Sequence, residues 1–148
     1  MARPHGRLNL DAVVDAVAAV AGGTDRVVAL GGGGDSALLL RASIDVPDEH
    51  GTRAVFIAHG LESSELLAKS AARLCDDLDV ELTILDVPII DGPNLEARAR
   101  DARYAALDAS LRPGEVGLLG HSLDDQAETM LMRLASGAGA AGLSGIPT

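Results

Sequence analysis

The strongest constraint on the fold is a repeated alternation, in which short apolar runs rich in Val, Ile and Leu are followed by segments of helical periodicity. Strands that alternate with helices of this length favour βαβ units, whose strands lie parallel and whose helices cover both faces of the sheet. No linker or internal repeat divides the chain, so we expect residues 1–148 to form a single α/β domain with a parallel sheet of about four to five strands. The predicted strands are residues 26–30, 53–58, 81–87 and 115–119, and the predicted helices are residues 10–21, 35–43, 63–78, 95–111 and 123–135.

The charge of the chain restricts its partners. With 12 Lys and Arg against 22 Asp and Glu the formal net charge is −10, whereas a protein that binds nucleic acid by neutralising phosphates carries a basic surface. Any contact with RNA must therefore be local or come from a partner. The acidity does not exclude ATP, because backbone N–H groups and Mg²⁺ can hold its phosphates. No run reaches transmembrane length and the N-terminus lacks a signal-peptide core, so we expect no membrane contact and a cytoplasmic protein.

A glycine-rich loop follows the first predicted strand. Glycines let the backbone approach a ligand closely, and the helix that follows offers free N–H groups and the positive end of its dipole, which together favour phosphate binding. A flexible turn with Asp35 or Ser36 as N-cap is the alternative. A Walker loop would need Lys after its last Gly, and a dinucleotide-binding loop would need Gly or Ala where Ser36 stands, so neither fits. The loop residues are Gly31, Gly32, Gly33, Gly34, Asp35 and Ser36.

Residues 94–104 (NLEARARDARY) place charged side chains on a predicted helix. Glu96, Arg100 and Arg103 share one flank, beside a stripe that we expect to be buried. This arrangement is typical of a salt-bridged helix surface, or of an arginine pair that is directed at an anion and oriented by Glu96. The predicted buried stripe is Leu95, Ala99, Ala102 and Ala106.

Residues 120–129 (GHSLDDQAET) combine a strand end with the start of the last predicted helix. Ser122 and Asp125 form a pattern like a capping box. Asp124 and Glu128 are four residues apart, where like charges repel unless a cation such as Mg²⁺ or an arginine compensates; a solvated acidic face is the alternative. His121, at the strand end, is either a site residue or an ordinary core or surface histidine. The glycine-rich residues 137–148 are predicted to form a loop.

Together these segments resemble the N-terminal catalytic domain of tRNA(Ile)-lysidine synthetases, whose Ser-Gly-Gly-x-Asp-Ser loop is the PP-loop of N-type ATP pyrophosphatases. The matching stretches are ALGGGGDSALLL, IAHGLESS, NLEARARDARYAAL and GHSLDDQAETMLMRLASGAGAAGLSGIP, in the family's order. The resemblance implies an adenine nucleotide alpha hydrolase-like fold and the use of ATP and Mg²⁺. It also implies the family's reaction, in which the wobble cytidine of tRNA(Ile) is adenylated, pyrophosphate is released and lysine displaces AMP.

The resemblance also implies roles for individual residues. The glycine loop would hold the phosphates of ATP, with Asp35 close to Mg²⁺. His59, Arg100, Arg103 and His121 would surround the adenylated intermediate. Three acidic residues would assist with the metal or with the lysine ammonium, namely Asp124, Asp125 and Glu128. The expected metal ligands are Asp35 and Asp124.

The chain departs from the family pattern at several points. Gly31 lacks the hydroxyl of the loop's first Ser, Ser122 stands where many members have His, and Glu62 stands where many have Arg. The family continues past the point where Thr148 ends this sequence, into regions that recognise tRNA. We therefore expect a fragment, a short relative with another acceptor, or a domain whose tRNA recognition comes from a partner protein or a homodimer. Beside the ligase hypothesis, we therefore keep a degenerate ATP-binding module without turnover and an enzyme with another small acceptor. Sulfur transfer is disfavoured, because related enzymes use paired cysteines and Cys75 is the sole cysteine.

Overall fold

The backbone of the chain is described by a computed structural model over residues 10–31, 34–59, 62–90, 92–123, 128–135 and 144–146. These residues contain four helices and one six-stranded sheet of order β3-β2-β1-β4-β5-β6. None of the helices in these ranges is long and apolar enough to cross a membrane. The elements are α1 (Leu10–Ala21), β1 (Asp25–Leu30), α2 (Gly34–Ile44), β2 (Thr52–Ala58), α3 (Glu62–Leu78), β3 (Leu82–Asp86), α4 (Leu95–Ser110), β4 (Glu115–Leu123), β5 (Glu128–Ala135) and β6 (Ser144–Ile146).

The first four strands form the predicted parallel sheet, with β1 at its centre. β1 pairs with β2 up to Leu30↔Phe56 and with β4 up to Val28↔Leu118, and β2 pairs with β3, all in parallel. The chain thus moves outward from β1 to β3 and then returns through α4 to the other side of β1. In open α/β sheets, ligands bind at the carboxyl ends of the strands where the winding reverses in this way.

Helices cover both faces of the sheet, as the alternation predicts. Successive strand residues point to opposite faces. On one face Val28 and Phe56 pack with residues of α1, α2 and α3, including Cys75, which is 1 % exposed. On the other face Val27 and Val55 pack with Leu107 of α4. Burial of an aliphatic side chain of this size contributes about 1.5–3 kcal/mol, so these two clusters fix α4 opposite the other three helices.

A buried ion pair connects the two strands that flank β1. The Arg53 guanidinium of β2 donates from Nε and NH2 to the two carboxylate oxygens of Glu115 at the start of β4, at 2.8 Å each. Arg53 NH2 also donates to the carbonyl of Ser110, the last residue of α4, at 2.9 Å. The hydrogen bonds that Glu115 accepts from Arg53, and from the backbone N–H of Arg112, hold the pKa of its carboxyl below the usual range. The pair therefore fixes β2, β4 and α4 together at the amino edge of the sheet, and the sequence pattern did not predict it.

A second ion pair lies at the same edge. Arg26, 1 % exposed at the start of β1, donates to both carboxylate oxygens of Asp48, at 2.9 and 3.1 Å. Asp48 also accepts from the backbone N–H of Gly23 at 3.1 Å, and together these contacts lower the pKa of its carboxyl. The charged groups of these two ion pairs at the amino edge of the sheet are thus satisfied by partners within the protein.

The helix predicted over residues 123–135 is wrong. β4 continues to Leu123, and β5 returns antiparallel beside it, from Leu123↔Glu128 to Val116↔Ala135. The Leu and Met residues of this run suit a helix or a strand, and periodicity alone does not separate the two. Pairing decides between them, because β5 covers a strand edge of β4 that would otherwise expose unpaired N–H and C=O groups.

Two predictions that depended on that helix fail with it. Ser122 lies within β4, opposite Thr129, and so cannot cap a helix with Asp125, which is outside the described residues. Glu128 begins β5, so it does not share a helical flank with Asp124, which is also outside the described residues. The tail predicted to be a loop contains the short strand β6, whose Ile146 pairs with Leu131.

Candidate functional site

Three strand ends meet at the carboxyl edge of the parallel sheet. Gly31 directly follows β1, His59 follows β2 and Val87 follows β3. The N-terminal end of α4, at Leu95, is reached from β3 by a short connection at this edge. The topology therefore brings the glycine loop, the histidine of the AHG motif and the arginine-bearing helix to one edge of the sheet, opposite the two ion pairs.

The glycine loop is joined to the helix that follows it. The backbone N–H of Gly31 donates to the Ser36 hydroxyl oxygen at 3.2 Å, and Ser36 is 6 % exposed. Because α2 begins at Gly34, Asp35 and Ser36 lie inside its first turn and not before it, where an N-cap would stand. Gly32 and Gly33 lie outside the described residues. The described part of the loop thus leads directly into a helix N-terminus, as a phosphate site requires.

Gly31 is not required by its own backbone. A Cβ built on Gly31 meets no heavy atom within 4 Å, and its φ is outside the left-handed region that favours glycine. The residue is exposed at the end of β1. A serine, as the PP-loop pattern has it, would therefore fit here without strain.

The two ring nitrogens of His59 differ in their hydrogen bonding. Its Nδ1 lies 3.0 Å from the carbonyl oxygen of Val87, which can only accept, so Nδ1 carries the proton. Its Nε2 is buried and has no hydrogen-bond partner among the residues that the structure describes. The sequence pattern singled out His59 but not Val87, because a backbone carbonyl leaves no signal in the side-chain pattern.

The sheet-facing stripe of α4 differs from the predicted one. Leu107 is 0 % exposed against the sheet, whereas Leu95, expected in the buried stripe, is 39 % exposed. The prediction chose alanines, but the larger Leu107 removes more apolar surface from water. Residues four and seven positions before Leu107 share its stripe, so Arg103 and Arg100 lie on that stripe one and two turns nearer the N-terminal end of α4.

The two arginines are not neutralised within the described part of the chain. Arg100 is exposed and Arg103 is half-buried. Neither forms an ion pair there, and Glu96 forms none with them, so the expected orientation of the arginines by Glu96 is not seen. The same stripe is thus apolar at Leu107 and cationic at Arg103 and Arg100, nearer the start of α4. Positive charge at that end of the helix suits an anionic ligand.

Of the remaining predicted site residues, His121 and Glu128 lie in the paired strands β4 and β5, and Asp124 and Asp125 lie outside the described residues. His121 lies in β4 opposite Met130, three residues beyond the last pair of β4 with β1. Glu128 lies opposite Leu123. Among the described residues there is no group of three or more His, Cys, Asp or Glu that could hold a metal ion by itself.

Comparison with known proteins identifies the family of this chain. A PP-loop domain model matches residues 8–148. The tRNA(Ile)-lysidine synthase of Pseudomonas putida is 42% identical over 124 residues, which are 81% of this chain and 29% of that protein. The tRNA(Ile)-lysidine synthase of Methylococcus capsulatus is 41% identical over 125 residues, 81% of this chain and 28% of that protein. The chain thus spans less than a third of the length of these relatives, and the resemblance found in its motifs is confirmed.

A solved structure supports the fold. The NH3-dependent NAD synthetase from Campylobacter jejuni, in complex with the nitrate ion, superimposes with a TM-score of 0.55 at 22% identity, over 73% of this chain and 51% of that one. At this identity the likeness concerns the fold alone. Together with the four parallel strands and the match to the PP-loop domain model, it confirms the predicted α/β class with an adenine nucleotide alpha hydrolase-like arrangement.

Proposed function

This chain belongs to the PP-loop domain family, and on that premise we propose that it is the ATP-binding domain of a ligase like tRNA(Ile)-lysidine synthase, which adenylates its acceptor and releases pyrophosphate. One observation carries the proposal most directly. One stripe of α4 carries Leu107, which packs against the sheet, and then Arg103 and Arg100 nearer the start of the helix. The start of α4 lies at the same edge of the sheet as the glycine loop. Arginines that form no ion pair among the described residues, at the same edge of the sheet as the glycine loop and its helix, favour a ligand with several phosphates.

The proposed reaction has two steps. An oxygen of the acceptor, which is the wobble cytidine of tRNA(Ile) by resemblance, attacks the α-phosphorus of ATP, and the α–β phosphate bond breaks to release pyrophosphate. The amine of lysine then bonds to the carbon that carries the adenylated oxygen. The bond between that carbon and the oxygen breaks, so AMP leaves with the oxygen, and the amine gives up a proton. Arg100 and Arg103 would stabilise the negative charge that develops on the phosphate oxygens during the transfer. His121, Asp125 and Glu128 stay proposals for the later step.

Mg²⁺ fits the residues present only together with ATP. Mg²⁺ is usually held by one or two carboxylates and the phosphates of the substrate, and Asp35, in the first turn of α2, is one carboxylate next to the phosphate loop. Asp124, which lies outside the described residues, is the second proposed ligand. When bound, the ion would neutralise phosphate charge and help pyrophosphate to leave.

The charge of the chain bears on its partners. With a net charge of −10, the chain offers little general attraction to tRNA, so we propose that tRNA recognition comes from further domains, a second copy or a partner protein. By resemblance to the tRNA(Ile)-lysidine synthases, we also propose lysine as the second substrate and a cytoplasmic location.

An ATP-binding module without turnover is the second candidate, and Gly31 favours it. Loss of the serine hydroxyl at this position removes one hydrogen bond to a charged phosphate, which costs about 1.5–3 kcal/mol.

Release of pyrophosphate from ATP with added tRNA(Ile) and lysine separates the two candidates. The ligase hypothesis predicts release that depends on the acceptor. ATP binding without release, for any acceptor tested, would support the module.

A further inference from the structure

We propose that the outer edge of β3 is an interface at which two copies of this chain pair, with Ile84 of each copy facing Ile84 of the other on a twofold axis. Such an interface joins the two sheets into one continuous sheet. The inference concerns how the chain assembles, and it does not depend on the proposed reaction.

β3 is the last strand at one end of the sheet. It pairs with β2, and its other side faces no strand among the described residues. Proteins usually protect such an edge with lysines, a proline or a bulge. The five residues of β3 (LTILD) include neither Lys nor Pro, and they pair with β2 without a break in register. The edge is therefore open to a further strand.

Ile84 places apolar surface at this open edge. It is level with Phe56 of β2, on the sheet face that α3 covers. Phe56 is 2 % exposed, whereas Ile84 is 48 % exposed. Of the large hydrophobic residues in β1, β2, β3 and the described side chains of β4, Ile84 alone is exposed. A partner that covers this side chain removes apolar surface from water.

The hydrogen bonds between β2 and β3 show which backbone groups of β3 are directed outward. The Ala54 N–H donates to the Glu81 carbonyl at 2.9 Å. The Val87 N–H donates to the Ala58 carbonyl at 2.7 Å. Alternate residues of a strand direct their N–H and C=O groups to opposite sides, so every second residue between Glu81 and Val87 directs them away from β2. These outward residues are Leu82, Ile84 and Asp86.

The outward residues are symmetric about Ile84, which favours a second copy as the partner. On a twofold axis at Ile84 the two β3 strands run antiparallel, and Leu82 of each copy lies opposite Asp86 of the other. Each opposing pair of outward residues then exchanges both of its hydrogen bonds. The same surface serves both copies, as a closed dimer requires.

The charges at the edge fit the same register. The side chains of Glu81 and Asp86, at the two ends of β3, are exposed. On this axis they lie opposite Val87 and Leu82 of the other copy, so that no carboxylate directly faces another. A register with Glu81 opposite Asp86 would set like charges against each other and weaken the pair. Because each copy has a net charge of −10, we also expect salt to strengthen the association by screening the general repulsion.

The first experiment measures the mass of the chain in solution by sedimentation equilibrium. We expect the wild type to form a particle of twice 15.1 kDa as its concentration rises to about 1 mM. Ile84→Lys places like charges opposite each other and should raise the dissociation constant of the dimer at least about tenfold. Ile90→Lys is the matched control, because Ile90 is 81 % exposed but lies beyond the end of β3. It should leave the dissociation constant unchanged.

The second experiment tests the register with single cysteines and oxidised glutathione. In a hydrogen-bonded antiparallel pair the opposing Cα atoms are about 5.5 Å apart, which a disulfide can span, so Ile84→Cys should link two copies. Asp86→Cys is the control on the same strand and face. Its two copies would lie about 13 Å apart along the strands, so it should not link them. The native Cys75 is 1 % exposed and should not react.

Three results would overturn the inference. The first is a wild type that stays at 15.1 kDa at every concentration up to about 1 mM. The second is a dimer that Ile84→Lys weakens no more than Ile90→Lys does. The third is disulfide linkage of Asp86→Cys as fast as that of Ile84→Cys, which decides the register even if Ile84→Lys does not fold. None of these results changes the proposed nucleotide function, which pyrophosphate release tests separately.

Discussion

Gly31 and Ser36 are joined across the glycine loop, the backbone N–H of the first donating to the hydroxyl of the second at 3.2 Å. This contact ties the end of β1 to the first turn of α2. It therefore holds together the two ends of the loop that is proposed to bind phosphates.

Ser36→Ala is expected to weaken ATP binding, because it removes the acceptor that joins the ends of the loop. Ser43→Ala is the matched control: Ser43 lies near the other end of α2, is 0 % exposed and donates to the Leu39 carbonyl at 2.8 Å. Both variants should lose about 0.5–1.5 kcal/mol of unfolding free energy. Calorimetric titration should show a loss of ATP affinity only in Ser36→Ala, and equal affinities in the two variants would contradict the role of the loop.

Gly31→Ser is expected to raise ATP affinity or turnover about tenfold or more, because a hydroxyl near the phosphates adds a charge-assisted hydrogen bond. A Cβ at this position meets no atom within 4 Å, so stability should stay within about 0.5 kcal/mol of the wild type. Gly51→Ser, at an equally open position before β2, is the control and should change neither quantity. No gain with Gly31→Ser would show that the missing hydroxyl is not what limits the loop.

Arg100→Ala and Arg103→Ala are each expected to reduce acceptor-dependent pyrophosphate release at least tenfold, because each removes a cation facing the site edge. Stability should change little, since neither arginine forms an ion pair in the described part of the chain. Arg112→Ala is the control of equal charge: its pair with Glu81 is exposed, with NH2 3.2 Å from the carboxylate, and such pairs contribute about 0–1 kcal/mol. A comparable loss in Arg112→Ala would indicate a general charge effect.

Glu115→Gln is expected to lower the unfolding free energy by about 3 kcal/mol at neutral pH, because it leaves the buried guanidinium of Arg53 without its counter-charge. The pKa of Glu115 is lowered in the folded state, so its contribution is present above the unfolded pKa of about 4.3 and is lost as the pH falls through the folded value. The difference between wild type and variant in urea unfolding should therefore be constant above about pH 5.5 and smaller at pH 3.

Glu81→Gln serves as the control for that series. Its exposed pair with Arg112 should contribute less than about 1 kcal/mol at any pH. A difference between wild type and Glu115→Gln that grows as the pH falls would contradict the ion-pair account.

The sequence predicted the elements whose patterns are local. α1 has the predicted bounds, and each of the four parallel strands lies within a few residues of its predicted position. Residues 128–135 form a strand because they pair with a free edge of β4. Whether such an edge is available depends on the tertiary structure and cannot be read from a local stretch of sequence. The burial of Leu107 in place of Leu95 depends on where α4 crosses the sheet, which is again set by packing.

For the candidate site, residue types were easier to predict than partners. The glycine loop, His59 and the two arginines were singled out from their motifs, and the structure brings them to one edge. Their contacts were not predictable, because the partner of His59 is a backbone carbonyl of another strand end. The pair of Arg53 with Glu115 spans 62 residues and depends on the order of the strands.

The central proposal is that the carboxyl edge of the sheet transfers the adenylyl group of ATP to an acceptor, which by resemblance is an RNA. The most direct measurement incubates the protein with α-labelled ATP, Mg²⁺ and tRNA(Ile) without lysine, and follows the label on the isolated RNA. The tRNA is raised until the signal no longer changes, because the chain by itself offers little general attraction to RNA. The account predicts labelled tRNA that releases AMP when lysine is added, and a loss of that label in Arg100→Ala. ATP binding without any transfer of label, in the wild type and in Gly31→Ser alike, would contradict it.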